Sequence, residues 1–180
     1  MGENIIKKLA DDLSLAHNTE LKGYHFYKHA SEMMSDEKGK EVFRHLATEE
    51  IEHIRAIRAI ASSLKEGLGW QSYVDAVKHA SKDTEEGIPI YQGENELLER
   101  FKADQSDITA INIAIENEEE AVEFYSGLLK KAEEAPEKSI LRELLVMEQA
   151  HLKLLQWESD ALKKTGFCCD RMEFSVEGEI

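Results

Sequence analysis

The sequence predicts an all-α fold: a four-helix bundle made of two helical hairpins joined by a long crossover. Three observations point to it. The composition is helical, with only 2 prolines in 180 residues and a high share of Glu, Lys, Leu, Ile and Ala. Apolar residues recur at alternating steps of three and four along four long stretches. A shift of 98 residues carries Glu20 onto Glu118, Phe26 onto Phe124, Tyr27 onto Tyr125, Arg44 onto Arg142, Leu46 onto Leu144, Glu50 onto Glu148, His53 onto His151, Leu64 onto Leu162 and Lys65 onto Lys163, with no gap. The chain therefore contains one hairpin twice.

The first helix is expected from about Asn4 to Met34, with Ile6, Leu9, Leu13, Ala16, Glu20, Gly23, Tyr27, Ala30 and Met34 along its apolar seam. Ser35-Asp36-Glu37 is a short polar break that makes the next helix an antiparallel neighbour, and Asp36 suits its N-cap. The second helix runs to about Glu66, where Gly67 and Gly69 stop it; Phe43, Leu46, Ile57, Ile60 and Leu64 mark its seam. Residues 67–104 have a different character and are expected to be the crossover. Trp70, Tyr73, Val74 and Val77 suit a short amphipathic helix, Gly87 to Gly93 reads as extended chain, and Glu94 to Lys102 suits a further helical turn or two. The third helix is expected from about Ser106 to Glu134, with Ile111, Ala114, Glu118, Ala121, Tyr125 and Leu128 inward. Pro136 fits the first turn of the fourth, which carries Leu141, Leu144, Glu148, His151, Leu155 and Leu162 inward and ends near Thr165 at Gly166. The bundle thus spans residues 1–166, and a tail, 167–180, packs on it or on a second subunit.

The seams contain the wrong residues at six places. Glu20, Glu50, His53, Glu118, Glu148 and His151 stand where the pattern asks for Leu or Ile. An unpaired buried carboxylate loses its hydration and gains nothing in return. A metal cation compensates if several ligands converge on it. Here one Glu comes from each of two helices and one Glu-x-x-His from each of the other two, the ligand set of a dinuclear carboxylate centre in ferritin-like bundles. Residues three apart share a helix face, so each Glu-x-x-His pair can reach one metal or place its Glu as a bridge. Four carboxylates neutralise two divalent ions. Carboxylate oxygen with imidazole suits iron or manganese, and zinc also binds such groups; the lack of cysteine ligands argues against a closed structural zinc centre.

One Glu-x-x-His in an acidic helical chain is ordinarily a solvated face. Two, in register with the seam and with each other, are not. Tyr27 and Tyr125, seven residues beyond Glu20 and Glu118, read equally as core aromatics or as hydrogen-bond partners of a ligand carboxylate. His17 reads as a boundary residue, and His25, His29, His45 and His79 as solvated ones. Cys168 and Cys169 are neighbours, a poor geometry for a structural disulfide, and read as plain thiols. The net charge of −15 disfavours nucleic acid and anionic membranes and suits cations. No apolar run reaches membrane-spanning length, and the N-terminus has no signal-peptide core, so cytoplasm is the expected location.

The stretch from Ala114 to Tyr125 and the stretch from Leu46 to His53 resemble the third-helix and Glu-Glu-x-x-His motifs of the rubrerythrin branch of the ferritin-like superfamily, and the likeness covers most of residues 5–165. The resemblance implies a non-haem di-iron centre on Glu20, Glu50, His53, Glu118, Glu148 and His151. It also implies reduction of hydrogen peroxide or O2, or ferroxidase and iron-handling activity without peroxidase turnover. Rubrerythrins proper carry a rubredoxin module with paired CxxC motifs. This chain shows none, so electrons are expected from a separate donor such as a rubredoxin. Such proteins also carry a further carboxylate one turn after the third-helix ligand, where this chain has Ala121. A homodimer is expected from the same resemblance. A metal-free helical interaction protein is the remaining alternative.

Overall fold

A computed structural model describes residues 3–80 and 93–169, and the side chains among them except those of residues 3–11 and His79. The side chains of the seam positions Ile6 and Leu9, the segment 87–92 expected to be extended and the tail from 170 onward lie outside the described residues. Among those described, all regular structure is helical: α1 (Glu3–Met33), α2 (Glu37–Lys65), α3 (Tyr73–His79), α4 (Glu96–Ala103), α5 (Asp107–Lys131) and α6 (Ala135–Thr165). None is long and apolar enough to cross a membrane.

α1 lies along α2 and α5 along α6; α3 packs on α2, and α4 packs against α1 and α5. The start and stop signals act as the sequence indicates. The Asp36 side chain accepts from the Gly39 N–H at 2.9 Å and caps α2. Ser106 caps α5, and Gly166 ends α6 in the left-handed conformation at φ 82°. One boundary differs. The third helix stops at Lys131 rather than Glu134, because Ala132 and Glu134 are extended (ψ 139° and 143°) to reverse the chain before Pro136 enters α6.

The apolar core is in two parts. One holds Leu21 to Met34 of α1, Val42 to Ile54 of α2, Ala110 to Ala114 of α5 and Leu154 and Leu155 of α6, together with Leu97 and Phe101 of α4. The other holds Ala16, Ala56 to Ile60, Tyr125 and Ile140 to Leu144, together with Tyr73 and Ala76 of α3. On α1, α5 and α6 the polar seam residues fall at the junction, between the stretches that belong to the two parts, and on α2 Glu50 and His53 fall at the end of the first part, just before Ala56. Leu64, Leu128 and Leu162 are only half-buried, because they sit near helix ends beyond the packed middle. α1 buries more than its seam: Phe26 is edge-on to Phe43 at 6.2 Å and to Phe101 at 6.1 Å, so α4 covers a second stripe.

One end of the bundle is tied by acidic side chains. Asp107 accepts from the N–H groups of Ser35 (2.7 Å) and Asp36 (3.0 Å), and Asp36 also accepts from Cys168 at 3.4 Å. Buried Glu158 accepts from Cys169 N–H at 2.8 Å. Cys168 packs into the first core part, while Phe167 is exposed, so the described start of the tail is on the bundle. Both cysteines are free thiols, and burial pushes Cys168 up to about 12. Replacing Asp36 with Ala removes both of its acceptor roles and should cost about 1 kcal/mol, or a fall in melting temperature of about 2–4 °C for a domain of this size. Thermal unfolding followed by circular dichroism checks it; an unchanged midpoint would mean that this cap carries no weight.

Candidate metal centre

All six polar seam residues point into the junction. Glu20, Glu50, His53, Glu118, Glu148 and His151 are each no more than 3 % exposed. His53 Nδ1 lies 3.2 Å from Glu20 Oε2, 3.2 Å from Glu148 Oε1 and 3.6 Å from Glu50 Oε2. His151 Nδ1 lies 3.4 Å from Glu148 Oε2 and 3.7 Å from Glu118 Oε2. The two imidazoles stack, with centroids 5.6 Å apart and planes 19° from parallel. Four α-helices thus deliver six donors to one level, because each donor occupies a seam position and every seam faces the same axis.

The donors fit two cations. Glu20, His53 and Glu148 can offer one atom each within 4.8 Å of one another, and so can Glu50, Glu118, Glu148 and His151. Glu148 is common to both groups. Glu50 Oε2, Glu118 Oε2, Glu148 Oε1 and His151 Nδ1 are buried without a hydrogen-bond partner. Orphaned buried acceptors are costly, and a cation is the partner that matches them. Gly23 of α1 makes room beside the group: a Cβ there would lie 3.4 Å from Glu50 Oε1 and 3.4 Å from Asn117 Nδ2.

Protons substitute for cations in the metal-free protein. Burial, and then the charge of Glu20, pushes the Glu50 carboxyl well up. Burial and the neighbouring Glu148 charge raise Glu118 to about 8. Glu148 is also pushed up by burial, but His151 and His53 outweigh that and hold it below the ordinary carboxylate range. Burial would lower both histidines, yet the surrounding carboxylates raise them well above the usual imidazole value. Metal binding must therefore displace protons.

The two tyrosines are fully buried core aromatics that also reach the carboxylates. Tyr27 donates to Glu118 Oε1 and Tyr125 donates to Glu20 Oε1, so each phenol from one half of the chain reaches a carboxylate of the other half. Burial first, then the carboxylate charges, raises both phenols well above 10, so they stay protonated donors. Asn117 Nδ2 donates to the Tyr27 oxygen at 3.0 Å.

Three contributors have no counterpart in the repeat and escape a reading based on it. Asn117 is one. Glu49 is another: its Oε2 lies 2.6 Å from His151 Nε2, and its Oε1 lies 3.4 Å from His45 Nε2. Burial raises Glu49, but hydrogen bonding to His151 outweighs this and keeps it below the usual range. An ionised carboxylate only accepts, so His151 donates through Nε2–H and turns Nδ1 to the centre. The third is Tyr73, whose ring is edge-on to His53 at 6.1 Å. The signal for Glu49 was its place in Glu49-Glu50-x-x-His53, but the 98-residue shift sets Met147 against it. Of the other histidines, His17 is a boundary residue as expected. His25, His29 and His45 are half-buried rather than solvated, because α4 covers one flank of α1 and Glu49 pairs with His45. The side chain of His79 lies outside the described residues.

A rubrerythrin family model matches residues 11–158. The chain belongs to the rubrerythrin family. No curated protein and no solved structure matches it. The rubrerythrin match covers all six candidate ligands and both tyrosines, and it agrees with an all-helical, ferritin-like bundle.

The pH dependence of the metal-free rubrerythrin bundle follows from these shifts. A carboxyl whose folded pKa is raised holds its proton more tightly when folded, so its stabilising contribution is present in acid and lost as pH rises. For Glu118 the window runs from about 4.3 when unfolded to about 8 when folded. His53, His151 and Glu50 act with the same sign, whereas lowered Glu148 loses its contribution only below the ordinary glutamate range. Metal-free protein should lose stability from about pH 5 to about pH 8, by up to about 1.4 kcal/mol per pH unit for each proton. Denaturant melts across this range check it. Glu118→Gln should flatten the slope, and a slope that is flat already in the unaltered chain would contradict the assignment.

Proposed function

We propose that the chain is a di-iron oxidoreductase that reduces hydrogen peroxide, or O2, with electrons from a separate donor such as a rubredoxin. The observation that supports this reading is the pair of buried donor groups sharing Glu148. Glu20, His53 and Glu148 would hold one iron, and Glu50, Glu118, Glu148 and His151 the other; manganese and zinc suit the same donors. Two bound ferrous ions supply the two electrons that convert hydrogen peroxide and two protons to two waters.

The chain's own residues prepare the place for that chemistry. The four carboxylates balance two divalent charges, and the two imidazoles complete the donor set without adding charge. Tyr27 and Tyr125 hold Glu118 and Glu20 through fixed donor bonds and leave their second oxygens for the cation. The core parts on either side keep bulk water from the junction.

A second reading, a ferroxidase or iron-handling protein without peroxidase turnover, is favoured by one observation. Ala121, where the family resemblance places a further carboxylate, is buried and apolar.

The test begins with the anaerobic diferrous protein. One peroxide should oxidise two ferrous ions; no oxidation at full iron content would end the redox reading. Continued peroxide consumption with reduced rubredoxin supports the first reading, and a single oxidation event without turnover supports the second. Glu50→Ala combined with Glu148→Ala should abolish metal binding and also lower the melting temperature of the metal-free bundle, since Glu148 is the acidic partner that His53 and His151 share. Elemental analysis and thermal melts read out both effects, and full metal content in that variant would refute the ligand assignment.

A further inference from the structure

The two halves of the centre are not equivalent beyond the ligands themselves. His151 Nε2 is bound by Glu49 at 2.6 Å, and behind Glu49 stands His45 at 3.4 Å. The Glu49 side chain is 38 % exposed and that of His45 is 24 % exposed, so a nearly buried imidazole is linked to the surface by one carboxylate. The carboxylates that reach His53 all do so at Nδ1, among the described residues. His53 instead lies edge-on to Tyr73 of α3, itself largely buried. The asymmetry is written in the repeat: the partner position of Glu49 is Met147, and that of His45 is Glu143.

We propose that Glu49 is a positioning residue for one of the two metals alone. It holds the His151 ring by its Nε2–H and presents the Nδ1 lone pair to the position shared with Glu118, while His53 takes its orientation from packing against α3. The proposal rests on the reading that the six residues bind two metals. A carboxylate behind a ligating imidazole fixes its tautomer and raises its basicity, and losing such a partner ordinarily weakens metal binding about 10- to 100-fold. Among the described residues such a partner stands behind His151 and not behind His53, so the loss should fall on one metal equivalent.

Calorimetric titration of the metal-free full chain with Co(II) alone tests this, with the visible cobalt spectrum as a second readout. Glu49→Ala should weaken one of two equivalents by about 10- to 100-fold, change the cobalt bands of that equivalent and leave the other in place. Glu49→Gln, which keeps an acceptor oxygen, should lose less. The effect of Glu49→Ala should vanish in a His151→Ala background and persist in a His53→Ala background. Unchanged binding of both equivalents would overturn the proposal while leaving the dinuclear reading intact. Equal weakening of both would also overturn it, since the carboxylate would then be acting through its charge and not through His151. An unaltered chain that binds fewer than two Co(II) would bring down the dinuclear reading and this proposal together.

Discussion

The bundle depends on keeping four carboxylates and two imidazoles out of water at the middle of its core. Burial and neighbouring carboxylates push Glu50 and Glu118 up, and only the two imidazoles bring positive charge into the group. The imidazoles take part of the load, the tyrosine hydroxyls another part, and several oxygens make no hydrogen bond. A metal-free bundle must therefore carry extra protons there, as the raised Glu50 and Glu118 carboxyls show. Few polar clusters unrelated to binding would survive at such a cost.

The rest of the fold serves this constraint. Each of the four long helices contributes apolar residues to the packing around the charged level, so two apolar masses hold the helices in register about it. The short helices finish the enclosure in different ways. α4 covers α1 through Phe101, and α3 sets Tyr73 against one imidazole. The acidic knot of Asp36, Asp107 and Glu158 at one end fixes the turn, the start of α5 and the tail together without touching the centre.

Much of this was legible in the residues themselves. Long-range sequence identity under one fixed shift placed Glu20, Glu50, His53 and their partners, because a buried polar residue cannot drift from its seam without leaving the cluster. Caps such as Asp36 and Gly166 were visible for the same local reason: their backbone roles admit few residue types. Glu49, Asn117 and Tyr73 were not legible, since their roles depend on which neighbour lies across the groove, and the repeat does not copy them. The half-burial of His25 and His29 was hidden likewise, because only the packing of α4 reveals that α1 has two covered flanks. The end of α5 was set by the geometry of the reversal before Pro136 rather than by any residue preference within the helix.

The crossed tyrosine bonds have a consequence for how such a chain can arise. Tyr27 of the first hairpin donates to Glu118 of the second, and Tyr125 of the second donates to Glu20 of the first, so each phenol has its acceptor in the other copy. A lone hairpin would hold half a donor set and an unanswered phenol, and its natural complement is another hairpin of the same kind turned to face it. Fusion of two such units into one polypeptide would leave the mutual embrace intact while freeing the outward positions, Glu49 and Met147 among them, to diverge.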